Sequence, residues 1–119
     1  NMNKAIEMVS SEQNVSIPEF TVTGIPYGNF FAHKWYIASD DKIDAEQFSS
    51  LIDEKLKQLN DDYEVERKHA LKAVEVQVLS EKVFMDFMTS KGKIGGQHKF
   101  PRVLKGKMLE DWHAFLNQL

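Results

Sequence analysis

The chain has no cysteine among its 119 residues. That excludes a disulfide framework and thiolate chemistry, and it fits a reducing, cytoplasmic setting. No apolar run approaches the ~20 residues needed to cross a bilayer, so no membrane partner is expected. The first ten residues lack the apolar segment of a signal peptide. The chain opens on Asn1 rather than Met, which predicts a processed or excised piece of a longer protein. Its four histidines, His33, His69, His98 and His113, are scattered without metal-ligand spacing, so no metal site is expected. No serine sits in a nucleophile-elbow motif. Gly92-Lys93-Ile94-Gly95-Gly96 lacks the spacing and the Lys-Ser/Thr ending of a Walker phosphate loop. A complete hydrolase within this length is not expected. There is no internal repeat and no low-complexity linker.

What is present suits one domain over residues 1–119. The hydrophobic content is 42%, and eight Phe, two Trp and three Tyr can fill a core. Residues 4–11 show a short helical pattern, and residues 16–23 a strand with Phe20 and Val22 on one face. Residues 24–29 read as a loop, because Pro26 and Gly28 argue against a continuous strand. Residues 30–39 form a second strand with apolar content on both faces, which predicts a central position and a hairpin with the first. Residues 44–63 read as one helix. Asp44 and Gln47 approximate a capping box, and Phe48, Leu51, Ile52, Leu56, Leu59 and Tyr63 make its stripe. Residues 73–79 alternate as a third strand, and Ser80 precedes a helix over residues 81–89. Pro101 fits the first turn of a last helix, whose stripe includes Leu104, Met108, Trp112 and Phe115. The expected fold is an α/β (α+β) sandwich of order α-β-β-α-β-α-α, with helices packed on a small mixed or antiparallel three-stranded sheet. Trp35 and Trp112 are expected in the core rather than in a base-stacking platform.

Charge is unevenly placed. Residues 39–66 hold ten acids and three lysines, whereas residues 90–107 hold five lysines, one arginine and no acid. A general nucleic-acid binder carries a broad basic face, so nucleic acid is not the expected partner. The basic run instead suits one local anion. Lys91, Lys93, Lys99 and Arg102 supply charge, Gln97 can donate and accept, and Gly92, Gly95 and Gly96 allow close backbone approach. Arg102, read at the start of a helix, would add backbone N–H groups to such a site. Composition alone leaves another use open: a solvated basic loop, or one paired with the acidic helix.

Several segments resemble the C-terminal domain of the auxin-responsive acyl-acid amido synthetase family, in particular its bacterial members. Met2-Asn3-Lys4-Ala5-Ile6 is similar to the opening helix, and His33-Lys34-Trp35-Tyr36-Ile37 to the second strand. Asn60, Asp62, Tyr63 and Arg67 match an Asn-x-Asp-Tyr-x-x-x-Arg pattern. Residues 96–102, Gly-Gln-His-Lys-Phe-Pro-Arg, match the most specific motif, Gly-Gln-x-Lys-x-Pro-Arg. The chain departs from the family at Glu81-Lys82-Val83-Phe84, where a glycine and a Thr or Ser are usual, and over residues 104–119.

The resemblance implies an adenylate-forming enzyme. With ATP and Mg2+, such enzymes adenylate a carboxylic acid, then pass the acyl group to an amine. A large N-terminal domain holds most of both sites, and the small C-terminal domain closes over them and brings a lysine. By that resemblance Lys99 is the first choice for the lysine, with Lys91 and Lys93 as alternatives. Gln97 and Arg102, with Gly95 and Gly96, would support the loop or touch the nucleotide. Tyr63 and Arg67 would hold the domain's internal geometry. The implied partners are the N-terminal domain, an acyl acid and an amine. The isolated domain is expected to be inactive and to hold no cofactor. The competing reading is a stand-alone regulatory or interaction domain; a small nucleic-acid-binding domain ranks behind it.

Overall fold

A computed structural model of the chain describes residues 1–93 and 99–119. Its elements are α1 (Met2–Gln13), β1 (Glu19–Tyr27), β2 (Phe30–Ala38), α2 (Ala45–Leu59), α3 (Asp61–His69), β3 (Leu71–Leu79), α4 (Glu81–Ser90) and α5 (Gly106–Leu116). The sheet has the order β1-β2-β3, with β1 antiparallel and β3 parallel to the central β2. It is the three-stranded sheet with packed helices that the sequence predicts, in the mixed form of the two left open there.

β2 is central because both of its faces are apolar. Trp35 and Ile37 enter one core with Phe20 and Val22 of β1, Ala5, Ile6 and Val9 of α1, and Phe48, Ile52 and Leu56 of α2. Tyr36 and Ala38, one residue out of phase, enter a second core with Phe84, Phe87 and Met88 of α4, Phe100, Leu104 and Trp112. Strand alternation thus feeds two helical layers from one strand. Burying side chains of this size stabilises by roughly 1.5–3 kcal/mol each. Both tryptophans are core residues, 1% and 0% exposed.

Three expectations are corrected. First, β1 does not end before Gly24 but runs through Pro26, which faces Phe31 of β2. β1 is an edge strand, and there a residue without an N–H costs no ladder bond. Gly28 and Asn29 are the two-residue turn, with Gly28 at φ 62° as the first position of a type II′ turn requires. Second, the helix expected over residues 44–63 divides at Asn60. The Asn60 N–H closes α2 on the Leu56 carbonyl at 3.0 Å. Its side chain accepts from the Asp62 and Tyr63 N–H groups at 2.9 and 3.1 Å, capping α3. The Asp44 cap on Gln47 forms as expected, at 3.1 Å.

Third, Pro101 and Arg102 are not in a helix; α5 begins only at Gly106. Residues 100–105 form an extended strap along the outer edge of β1. The Val22 N–H donates to the Arg102 carbonyl and the Leu104 N–H to the Val22 carbonyl, each at 2.9 Å. The Arg102 carbonyl and the Leu104 N–H are committed to Val22, so they take no part in a helix. Gly106 then turns the chain into α5 at φ 61°.

Candidate functional site

The basic segment leaves α4 through a tight helix end. Gly92, at φ 76°, donates its N–H to Thr89 O, and the Lys93 N–H reaches back to Met88 O, both at 2.9 Å. This pair of bonds is a Schellman motif, with Gly92 in the left-handed position. Lys91 turns inward: its Nζ donates to the Asp111 carboxylate of α5. Asp111 also takes Lys107, at 2.9 Å. The bonds from Lys91 and then Lys107 hold the Asp111 carboxyl below its ordinary range.

On the far side of the segment, the strap is fixed at several points. The Phe100 ring is buried against Phe84, Phe87 and Trp112, with centroids 4.9, 5.8 and 5.2 Å away. Arg102 also turns inward. Its Nη1 donates to Glu19 Oε1 and, at 3.0 Å, to the Phe20 carbonyl. Its Nε donates to Asn3 Oδ1 at 3.1 Å, and the guanidinium lies 4.3 Å from the Phe20 ring centroid. The other Glu19 oxygen, Oε2, accepts from the Phe100 N–H across 3.4 Å. Arg102 therefore clamps the strap to β1 and α1 and sits at no helix start.

Lys93 and Lys99 differ from these two. Like Lys91 both are exposed, but among the described residues neither forms an ion pair. Gly95, Gly96 and Gln97 lie outside the described residues.

A second polar cluster sits where α2, α3 and β3 meet. Tyr63 Oη donates to Asp53 Oδ1 at 2.6 Å, and Arg67 Nε and Nη2 reach the same carboxylate at 2.9 and 3.2 Å. Arg67 Nη1 donates to the Leu71 carbonyl at 2.7 Å. Burial opposes charge on Asp53, but the bonds from Arg67 and Tyr63 outweigh it and hold the carboxyl below its ordinary range. Burial, and then the bond to Asp53, push the Tyr63 hydroxyl well above the ordinary tyrosine range. On β2, burial and then the Arg67 charge lower His33, so this imidazole favours its neutral form. The cluster ties three elements together with every Arg67 nitrogen used, which is a structural arrangement.

Two hollows formed by described residues lie elsewhere. One, of about 610 Å³, runs along β3 and the start of α2 beside Lys34, Glu46, Ser49, Glu75 and Gln77. The other, of about 410 Å³, lies between the end of α1 and the start of α2, beside Val15, Ile43 and Gln47. Neither is lined by a residue of the basic segment.

A model of the GH3 family C-terminal domain matches residues 1–107. The chain belongs to the GH3 family. The match ends at the second residue of α5, so most of the segment that looked least family-like lies beyond it. No curated protein matches this GH3 domain in sequence. Among solved structures it is similar to the AtGH3.15 acyl acid amido synthetase in complex with 2,4-DB, at 19% identity and a TM-score of 0.69. It is likewise similar to a GH3.15 acyl acid amido synthetase, at 16% identity and a TM-score of 0.70. Each match covers 95% of this GH3 domain and 23% of the other chain. At these identities the likeness speaks to the fold.

The pairings inside this GH3 domain were hidden from sequence reasoning. Glu19 lies 83 residues from Arg102, and Asp111 lies 20 residues from Lys91. No local spacing ties Glu19 to Arg102 or Asp111 to Lys91, although Lys107 and Asp111 are four residues apart on α5. The only sequence signal is that an arginine and a lysine in an acid-free run must find counterions elsewhere in the chain.

Proposed function

We propose that this GH3 domain is the mobile C-terminal domain of an ATP-dependent acyl-acid amido synthetase, and that Lys99 is the side chain it brings to the reacting centre. The supporting observation is the division within the basic segment. Lys91 and Arg102 are held in ion pairs, whereas Lys99, immediately beside the buried Phe100, forms none among the described residues. An exposed cation on a flexible stem, next to an anchored ring, suits an anionic partner supplied by another surface. The 23% coverage of the amido synthetase structures supports a larger domain as that surface.

In the first half-reaction a carboxylate oxygen attacks the α-phosphorus of ATP, and the bond to pyrophosphate breaks. In the second, an amine nitrogen attacks the acyl carbon, AMP leaves with the bonding pair, and the amine loses a proton. The Lys99 ammonium acts electrostatically, offsetting negative charge as the first bond forms. Lys93, also exposed, is the alternative cation of the segment, and Gln97, Gly95 and Gly96 belong to the stretch between the two lysines. Among the described residues no group of three or more His, Asp or Glu could hold a metal ion, so this reading leaves Mg2+ to the larger domain. The 119 residues alone would not complete the reaction.

The test is Lys99→Ala in the full-length enzyme, with the two half-reactions assayed separately. ATP–pyrophosphate exchange is expected to fall ~10²–10³-fold, the usual cost of losing one charge-stabilising group. Retained exchange with lost amide formation would move Lys99 to the second step. Normal rates in both would remove it from the reaction.

A further inference from the structure

We propose that Glu19 is a positioning residue for Lys99, acting through the strap rather than through substrate. The inference rests on the reading of Lys99 given above. Glu19 opens β1, and its two carboxylate oxygens have different partners. Oε1 accepts from Arg102 Nη1, three residues beyond Lys99. Oε2 faces the Phe100 N–H at 3.4 Å. That N–H belongs to the peptide joining Lys99 to Phe100, so the carboxylate bears on the peptide plane adjacent to the Lys99 Cα.

The geometry explains why a carboxylate is suited to this point. The Phe100 ring, 3% exposed, fixes where the strap enters the core, but a buried ring leaves the preceding peptide free to rotate. The bridge at Val22–Val103 fixes the strap only further along. Glu19 accepts from the Phe100 N–H and from Arg102 at once, and its Oε1 also accepts from the Phe20 N–H at 3.4 Å. It orients the Lys99–Phe100 peptide with one oxygen and holds Arg102 with the other. The Arg102 bonds to Phe20 O and Asn3 then carry the hold into β1 and α1. A lysine side chain has four rotatable bonds, so its ammonium samples a wide volume unless its Cα is set. Displacement of about 1 Å at a reacting group can cost on the order of 10²-fold in rate.

A purely structural Glu19 would stabilise the domain without a special link to Lys99, and two measurements separate these roles. The first is kinetic, in the full-length enzyme. Glu19→Gln is expected to lower kcat for ATP–pyrophosphate exchange ~10-fold with KM for ATP unchanged, a fraction of the misplacement cost. In a Lys99→Ala background it is expected to cost nothing further, because the side chain it positions is gone. The second is amide hydrogen exchange in the 119-residue chain. In Glu19→Gln, and more so in Glu19→Ala, the Phe100 amide is expected to exchange faster while β2 amides keep their protection.

Equal losses from Glu19→Gln with and without Lys99 would overturn the inference, as would an unchanged Phe100 amide. Uniformly faster exchange across β2 would reduce Glu19 to a stabilising contact and overturn it too. If Lys99→Ala costs activity and Glu19→Gln does not, this inference fails alone. If Lys99→Ala leaves both half-reactions intact, the reading of Lys99 fails and the positioning role falls with it. The exchange of Phe100 still shows whether the Glu19 clamp exists.

Discussion

Asp53 receives hydrogen bonds from Tyr63 Oη and from two nitrogens of Arg67, with Lys57 Nζ at 3.6 Å. These partners favour the ionised carboxylate more than burial disfavours it, so the folded-state pKa lies below the ordinary value. The consequence for stability has a definite sign. A depressed carboxylate contributes stability above its unfolded pKa, near 3.9, and loses it as pH falls through the folded value. Tyr63 has the opposite dependence. Its raised pKa contributes stability below the ordinary tyrosine value, near 10, and loses it only at higher pH. Arg67→Ala removes the main support for ionised Asp53 while leaving the burial that opposes it. The variant is expected to lose about 2 kcal/mol at neutral pH, the scale of hydrogen bonds to a charged group. Its acid-unfolding midpoint is expected to move to higher pH, followed by circular dichroism. An unchanged midpoint would mean that Arg67 does not set the Asp53 charge.

Elements were legible in the sequence where one short pattern decided them. β2 declared itself central because Trp35 and Tyr36, adjacent and both bulky, demand two buried faces. α2 followed from Phe48, Ile52 and Leu56 behind the Asp44 cap. What escaped was decided by remote partners. Pro26 breaks a strand only if both edges are paired, and nothing local says that β1 lies at the edge. Residues 100–105 resemble a helix start, yet their bonds go to Val22, far back in the chain. At the candidate site, the acid-free run was visible from composition alone. Its division into inward Lys91 and Arg102 and outward Lys93 and Lys99 depends on Asp111 and Glu19. The glycines show the same contrast between type and context. Gly92 holds φ 76° in the turn that ends α4, whereas Gly24 in β1 has no positive φ and open space where a Cβ would go. Gly92→Ala is expected to cost about 1–2 kcal/mol for the left-handed conformation. Gly24→Ala is expected to be neutral or to stabilise by up to ~1 kcal/mol through the unfolded chain. Denaturant unfolding of the two variants checks this, and equal effects would contradict the assigned turn.

At the scale of the whole molecule, the family's boundary and the fold's boundary differ. The GH3 family match ends at residue 107, yet α5 continues to Leu116. Trp112, in that continuation, is 0% exposed at the centre of the second core. Its ring centroid lies 5.1 to 5.5 Å from those of Phe84, Phe87, Phe100 and Tyr36. Those four come from α4, the strap and β2, so one buried side chain from outside the matched region, with the partly buried Met108, Leu109, Phe115 and Leu116 beside it, closes a layer whose other buried members lie inside it. The strap that follows Lys99 belongs to this layer, because Phe100 packs directly on Trp112. Trp112→Ala is therefore expected to cost about 3–5 kcal/mol by the cavity it leaves. That is a large share of a typical domain's 5–15 kcal/mol. A chain ending at residue 107 is expected to lose cooperative unfolding and to expose aromatic surface, detected as dye binding. Trp112→Phe, which keeps an aromatic ring in the site, is expected to recover much of the loss. If the chain ending at residue 107 unfolds as cooperatively as the full one, α5 is an accessory and the second core is complete without it. If it does not, the last turns of this chain support the strap that follows Lys99.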